Sequence, residues 1–371
     1  MAAPDARGTR AGPPPAGAKV VIRPPRGRAV GIASWAHAAV VLVVLWLIRW
    51  VGDAWWGTTF LLFMPRWLFL LPLLVLAPAA GISRCFRHWV VQTAAALVVA
   101  GPLMQASLPL PRLFESRPPG DLIRVATFNL GTEQVDFPAL NRWLTSQRVD
   151  VICFQEGRLR LQKVFPELLG PGWFLNRERT IASRFPIIAE LEPLKDESTS
   201  EGRYAAVLER ARLRLASGRE IAVASAHLPT IRPGFERLLA RDIQGLVLHV
   251  AWWGREMGRV LSMLAQASDV PMVVGGDFNM PSDDSTMAAL RTSFRFAFEE
   301  AGWGYGYTRP AFHPWMRIDH LLTSPEWYVT RCQVGPDLGS DHLPLVADVL
   351  LPRVAEPARE GPAREGKASP P

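Results

Sequence analysis

The apolar positions of this chain fall into two patterns that change near residue 120. From Ala29 to Ile48 (AVGIASWAHAAVVLVVLWLI) they are nearly continuous and carry no Asp, Glu, Lys or Arg. That length suits a helix crossing a hydrocarbon core of roughly 30 Å at about 1.5 Å per residue. Arg49-Trp50 follows at once, where a signal peptide would place a small-residue cleavage site. A second run, Pro65–Ile82, and a third, Trp89 to about Leu108, repeat the pattern, with Arg84, Arg87 and His88 between them. Three transmembrane helices are therefore expected. Arg66, Pro72 and Pro78 weaken the second, although an arginine near a helix end snorkels to the interface.

Beyond residue 120 short β-rich apolar runs alternate with helical periodicity. Strands are expected over Leu122–Leu130, Val149–Gln155, Ala205–Leu215, Ile221–Ala226, Val270–Gly275, Arg317–Ser324 and Leu345–Leu351. Helices are expected over Phe137–Gln147, Gly234–Gln266 and Ser285–Ala301. The connector LPLPRLFESRPPG is Pro-rich and reads as a stiff tether. The chain thus divides into a disordered basic arm (1–28), an all-α membrane region (29–110), a linker (111–120), an α/β domain (121–352) and a disordered tail (353–371).

Charge sharpens the division. The formal charge is +7, but residues 1–119 hold 12 Lys/Arg against 3 Asp/Glu, and residues 120–352 hold 25 against 28. The basic character belongs to the membrane region, and the α/β domain is slightly acidic with only two lysines, Lys163 and Lys195. An extended nucleic-acid footprint, which neutralises several phosphates with Lys and Arg, is disfavoured. Six basic residues, from Arg7 to Arg28, precede the first span, so the positive-inside rule places the N-terminus in the cytoplasm and the domain outside it. The three cysteines, Cys85, Cys153 and Cys332, form no CxxC pair, and Cys153 reads as a small buried hydrophobe.

Candidate chemistry lies where apolar strands end in polar residues. The segments are Thr127-Phe128-Asn129, Phe154-Gln155-Glu156, VASAH ending at His227, Gly276-Asp277-Phe278-Asn279, Arg317-Ile318-Asp319-His320 and Gly339-Ser340-Asp341-His342. A protein interior does not accept so many unpaired polar groups unless something compensates them. Strand ends arranged around one rim would bring them together. His249, His313 and His320 stay outside this set, and Arg203 is as consistent with a solvated charge as with a phosphate ligand.

In this order, residues 121–352 resemble the endonuclease/exonuclease/phosphatase superfamily, which includes exonuclease III-like nucleases, deoxyribonuclease I, inositol polyphosphate 5-phosphatases and neutral sphingomyelinases. IASRFPI (Ile181–Ile187) is similar to the family's Ser-Arg-x-Pro segment. The resemblance implies a four-layer α/β sandwich, two mixed β-sheets flanked by helices, here preceded by the all-α transmembrane region. Phosphoester cleavage needs the phosphate charge neutralised, and Glu156 with Asp341 are the ligand candidates for Mg²⁺ or Mn²⁺, with Asn129 holding a metal-bound water or completing the shell. The resemblance implies that Asp277 orients the attacking water, Asn279 donates to the phosphate, His342 stabilises developing charge, Asp319 fixes the ring of His342, and His227 contacts phosphate or the leaving group. The whole arrangement also resembles membrane-anchored bacterial phosphatases linked to teicoplanin resistance, which act on envelope lipids. The expected partners are therefore the bilayer and a phosphorylated lipid. A membrane-tethered nuclease or a sphingomyelinase-like phosphodiesterase is the alternative, and a noncatalytic scaffold is the reading from a different class.

Overall fold

The computed structural model of the chain describes residues 27–353, apart from 85, 132–134, 157–164, 166–167, 195–206 and 266–267. Arg203, the expected arm before Gly27 and the expected tail after Arg353 lie outside the described residues.

The first apolar run forms α1 (Arg28–Trp50). After α2 (Trp56–Phe63), the second run forms a 3-10 segment (Arg66–Leu70) and α3 (Leu73–Ser83). The third forms α4 (Phe86–Val98), continued by a π-helical turn (Val99–Leu103). The chain runs to and fro between the same two ends: Gly27 lies against Ser83 and His88, and Ile48 packs with Leu62, Leu103 and Met104. Polar side chains tie the helices together. Gln92 Nε2 donates to Ser34 Oγ (2.9 Å) and to the Leu76 carbonyl (3.0 Å), and His37 Nε2 donates to the Phe69 carbonyl (2.8 Å). Ile32, Trp35, Leu42 and Trp46 of α1 are exposed, as are Leu74 and Val75 of α3. Arg28–Trp50 and Arg66–Ser83 are long and apolar enough to cross a membrane. Among the described residues the expected third span does not reach that standard, because Arg87, His88 and Gln92 crowd the start of α4.

The α/β domain is built on two six-stranded mixed sheets. One has the order β11-β12-β1-β2-β4-β3, from β1 (Gly120–Asn129), β2 (Val151–Gln155), β3 (Phe174–Leu175), β4 (Ile181–Ser183), β11 (Tyr328–Val334) and β12 (Leu345–Pro352). The other has the order β5-β6-β7-β8-β10-β9, from β5 (Ile187–Leu194), β6 (Val207–Arg214), β7 (Glu220–His227), β8 (Met272–Asp277), β9 (Arg295–Phe296) and β10 (Asp319–Thr323). Each sheet has one parallel pair at its centre, β1 with β2 and β7 with β8. Val125, Val151 and Cys153 of one sheet pack against Val223, Val273 and Leu321 of the other. The sheets approach closely at Gly275, where a Cβ would sit 3.1 Å from Thr127 Cβ and 3.2 Å from Cys153 Cβ. α5 (Phe137–Gln147) covers the first sheet, and α6 (Arg232–Leu239) with α7 (Ile243–Ala265) covers the second. This is the expected four-layer sandwich. Cys153 and Cys332 are buried free thiols.

Several expected elements differ. The helix expected over Gly234–Gln266 is two helices, broken where Arg241 takes φ 61° and Asp242 accepts a hydrogen bond from Gly245 N (2.8 Å) to start α7. The helix expected over Ser285–Ala301 is a 3-10 turn (Met287–Thr292), strand β9 and a short α8 (Ala297–Ala301). Phe294 and Phe296 are buried on either side of exposed Arg295, so the chain runs extended there and turns helical only from Ala297. The first two residues of the strand expected from Ala205 lie outside the described residues.

The domain does not hang from a tether. Leu110–Leu113 forms a 3-10 turn, and Arg112 bonds Glu115 and Glu300 and lies over the Tyr328 ring. α2 packs on α6 and α7, with Phe63 edge-on to Phe235 and Trp253. Arg66, which weakened the second span in the sequence, is buried in a two-point ion pair with Asp283 (2.6 and 3.0 Å) and donates to the Leu103 and Leu62 carbonyls. Tyr307 donates to the Met104 carbonyl (2.8 Å) and Trp315 Nε1 to the Phe63 carbonyl (3.3 Å).

Candidate active site

Strand register assembles the site. Asn129 closes β1 opposite Gln155 at the end of β2. In the second sheet His227 pairs with Asp277, and Asp277 with Asp319, so three adjacent strands end in one polar row. Two turns keep backbone in the left-handed region without glycine, Glu156 at φ 53° and Asn279 at φ 48°. Such strain costs of order 1–3 kcal/mol and persists where the surroundings over-determine it. The strain at Asn279 is held by its N–H donating to Asp277 Oδ1 (2.7 Å) and its Nδ2 donating to the Leu228 carbonyl (2.9 Å).

Hydrogen bonds knit the two rows together. Asn129 Nδ2 donates to Glu156 Oε1 (3.1 Å) and Asp277 Oδ2 (2.9 Å), while Asn129 Oδ1 accepts from Gly131 N (2.9 Å). His227 Nε2 lies 3.5 Å from Glu156 Oε1. His342 Nδ1 donates to Asp319 (2.9 and 3.1 Å), which leaves its Nε2 3.6 Å from Asp277 Oδ2. Ser340 Oγ donates to the Asn129 carbonyl (2.8 Å) and accepts from His342 N (3.1 Å), joining the final loop to β1.

The structure therefore brings Asn129, Glu156, His227, Asp277, Asn279, Asp319 and His342 into one cluster. Asp341 stands beside it, close to Gly131, but its carboxylate accepts from Arg309 Nη2 (2.6 Å) and is not among the gathered donors. Arg309 was not legible in the sequence, since an Arg between Thr308 and Pro310 carries no pattern. His320 lies apart, donating Nε2 to the Met280 carbonyl (2.9 Å) between Phe278 and Phe296. Burial lowers its pKa to about 4, so it is a neutral prop under the loop after Asn279.

The electrostatics follow from burial. Desolvation opposes charge on His342, yet the carboxylates of Asp319 and then Asp277 raise its pKa to about 9. Burial pushes the pKa of Asp277 up, with Asp319 adding to the rise and the two histidines opposing it. At neutral pH one imidazolium thus faces an excess of carboxylates. Glu156, His227 and Asp277 offer ligand atoms within 4.8 Å of one another, as do Asp277, Asp319 and His342. Surplus negative charge and hard oxygen donors suit a divalent cation, so the donor set fits a metal. We expect the alkaline limb of kcat/KM to lie near pH 9, where His342 loses its proton. Asp319→Asn should move that limb to lower pH, and an unmoved limb in this variant would remove His342 from the titration.

The Endonuclease/Exonuclease/phosphatase family profile matches residues 126–342, which include every residue of the cluster. The chain belongs to the endonuclease/exonuclease/phosphatase family. A family protein of this type from Bacteroides thetaiotaomicron is similar at 16% identity with a TM-score of 0.50, covering 63% of this chain and 97% of that one. A mannosyl-6-phosphatase from Bacteroides thetaiotaomicron is similar at 18% identity (TM-score 0.47; 62% and 99% covered). An AP endonuclease from Archaeoglobus fulgidus is similar at 19% identity (TM-score 0.43; 61% and 98% covered). No curated protein matches the chain. Endonuclease/exonuclease/phosphatase enzymes are hydrolases of phosphoester bonds that use divalent metals, and this chain's acidic and histidine cluster can bind one.

Proposed function

We propose that this chain is a membrane-anchored phosphoesterase that uses Mg²⁺ or Mn²⁺ to hydrolyse phosphate esters or pyrophosphates of a lipid. The observation that carries the reading is where the site lies relative to the apolar helices. The loop after Asn279 reaches Asp283, which Arg66 grips at the head of the second apolar segment. The loop carrying Arg309 and Phe312 reaches Trp315, which bonds the end of α2. Phe312 is 83% exposed, and its neighbour Ala311 bonds the Asp341 carbonyl. A rim mounted on membrane helices meets substrates of the same membrane plane at high effective concentration.

In this reading Glu156 holds the cation, with Asn129 and Asp341 flanking it. The bound cation would neutralise phosphate charge and polarise the ester. Asp277, whose proton affinity burial has raised, accepts a proton from the attacking water. His342 remains protonated and donates Nε2–H to a phosphate oxygen, held in line by Asp319. Asn279 would donate to the phosphate by turning one Nδ2–H away from Asp277 Oδ2 (3.3 Å), and the half-exposed His227 serves the leaving oxygen. Three antiparallel apolar segments after a basic arm would place this site on the extracytoplasmic face of a bacterial-type membrane.

The test is turnover by the full-length protein in lipid nanodiscs against polyprenyl pyrophosphate, phosphatidic acid, sphingomyelin and duplex DNA. A phosphorylated lipid should be hydrolysed on the order of 10² times faster than DNA is cut. Faster cleavage of DNA would overturn the lipid reading in favour of a tethered nuclease, and faster cleavage of sphingomyelin in favour of a phosphodiesterase.

A further inference from the structure

The α6–α7 hairpin presents an apolar edge that no described part of the fold covers. Leu239, at the end of α6, is 85% exposed, and Ile243, Val247 and Leu248 on the first turns of α7 are exposed as well. They are not strays from the core stripe, because Leu246, Val250, Trp253 and Met257 already bury the opposite face of α7. The outward face also changes along its length: Ile243, Val247, Leu248 and Ala251, with Gln244 among them, come first, then Arg255, Arg259 and Ser262. A helix that faces water throughout is polar along its whole outer side.

The position of the apolar half supplies its partner. Ala54, Trp55 and Trp56, which follow α1 within a few residues, line a cleft of about 320 Å³ together with Val247, Val250 and Ala251. Trp50 and Trp55 are exposed, and tryptophans at the end of a spanning helix sit at the head-group level. The patch continues the lipid-facing surface of α1 sideways at that level. Arg241 lies beside it on an exposed position, as does Arg237, whose guanidinium also bonds Asp242 (2.9 Å), and lipid phosphates would meet them there.

We infer that the α6–α7 hairpin is a second membrane contact, one that lies in the interface without crossing it, and that its partner is the lipid bilayer. The inference rests on the reading of α1 and the second apolar segment as membrane spans. Its consequence reaches the active site through Trp253, whose Nε1 donates to the Pro229 carbonyl (2.8 Å) just beyond His227. Seating the hairpin therefore fixes the height of the site above the lipid.

Depth-dependent quenching tests it. Leu248→Cys, Ser262→Cys and Val40→Cys are each placed in a full-length Cys85→Ser background, labelled with an environment-sensitive fluorophore and reconstituted in nanodiscs containing a spin-labelled lipid quencher. Ser262 is exposed on the same helix, about 20 Å further along it, and Val40 is exposed on α1. The inference expects quenching at positions 248 and 40 at least twofold above that at 262. Quenching at 40 alone would overturn the hairpin contact and leave the spans standing. Quenching at none of the three would overturn the spans and the hairpin contact together.

Discussion

Asp277→Asn should lower kcat by on the order of 10² to 10³, the loss seen when a group that acts on developing charge is removed. The substitution keeps size and shape, and an amide oxygen in place of Oδ1 still accepts from Asn279 N, while the amide nitrogen in place of Oδ2 no longer accepts from Asn129 Nδ2. What disappears is a carboxylate able to take a proton and to face His342 Nε2 at 3.6 Å. His342→Asn should lose a similar factor, because the imidazolium held by Asp319 and Asp277 is then gone. Circular dichroism and thermal melting of each purified variant separate lost chemistry from lost fold. A folded Asp277→Asn enzyme of near-normal rate would remove Asp277 from the reaction.

Arg66→Met should destabilise the protein by about 3–5 kcal/mol, the usual cost of leaving one member of a buried ion pair alone. Arg66 and Asp283 are almost wholly buried, and the guanidinium also satisfies the carbonyls of Leu62 and Leu103. Among the described residues, Asp283 keeps Gln105 as its side-chain donor once Arg66 is replaced. For a domain of this size the loss corresponds to a melting point lower by on the order of 10 °C. Asp283→Leu in the Arg66→Met background should recover much of it, since an apolar pair can replace a buried ionic one. A single variant as stable as the parent would mean that the helices and the site loop are not coupled through this pair.

Much of the site was legible because its chemistry sits at strand ends. Asn129, His227 and Asp277 close apolar runs, Glu156 follows one, and Asp319 and His342 stand at or before the start of the runs of β10 and β12, and register then converts order along the chain into proximity. The packed sandwich was legible in the short, nearly continuous apolar runs of β1, β7, β8 and β12, which are buried along most of their length. The short strands β3, β4 and β9 were not, since two or three residues carry no period, and the edge strands β5 (IIAELEPL) and β11 (YVTRCQV) were not expected either, because polar and charged residues interrupt their apolar positions. The break between α6 and α7 escaped because Arg241 at positive φ is set by the cap at Asp242 and not by a glycine. Arg309 and Arg66 escaped for a different reason. Each acts through a partner far away in the chain, Asp341 and Asp283, and a pattern of single positions does not record such pairings. In the sequence Arg66 weakened a span, whereas in the fold it joins that span to the loop after Asn279.

The most direct test of the central claim, that this rim is a metal-dependent phosphoesterase site, is product release by the purified full-length protein from a phosphorylated lipid in nanodiscs. Release is followed with Mg²⁺, in excess chelator, and after Mg²⁺ is restored, beside Glu156→Gln. Turnover should be present with Mg²⁺, absent in chelator and recovered on restoration, and Glu156→Gln should need far more Mg²⁺ for any rate. Full turnover in excess chelator, with Glu156→Gln indistinguishable from the parent, would contradict the claim.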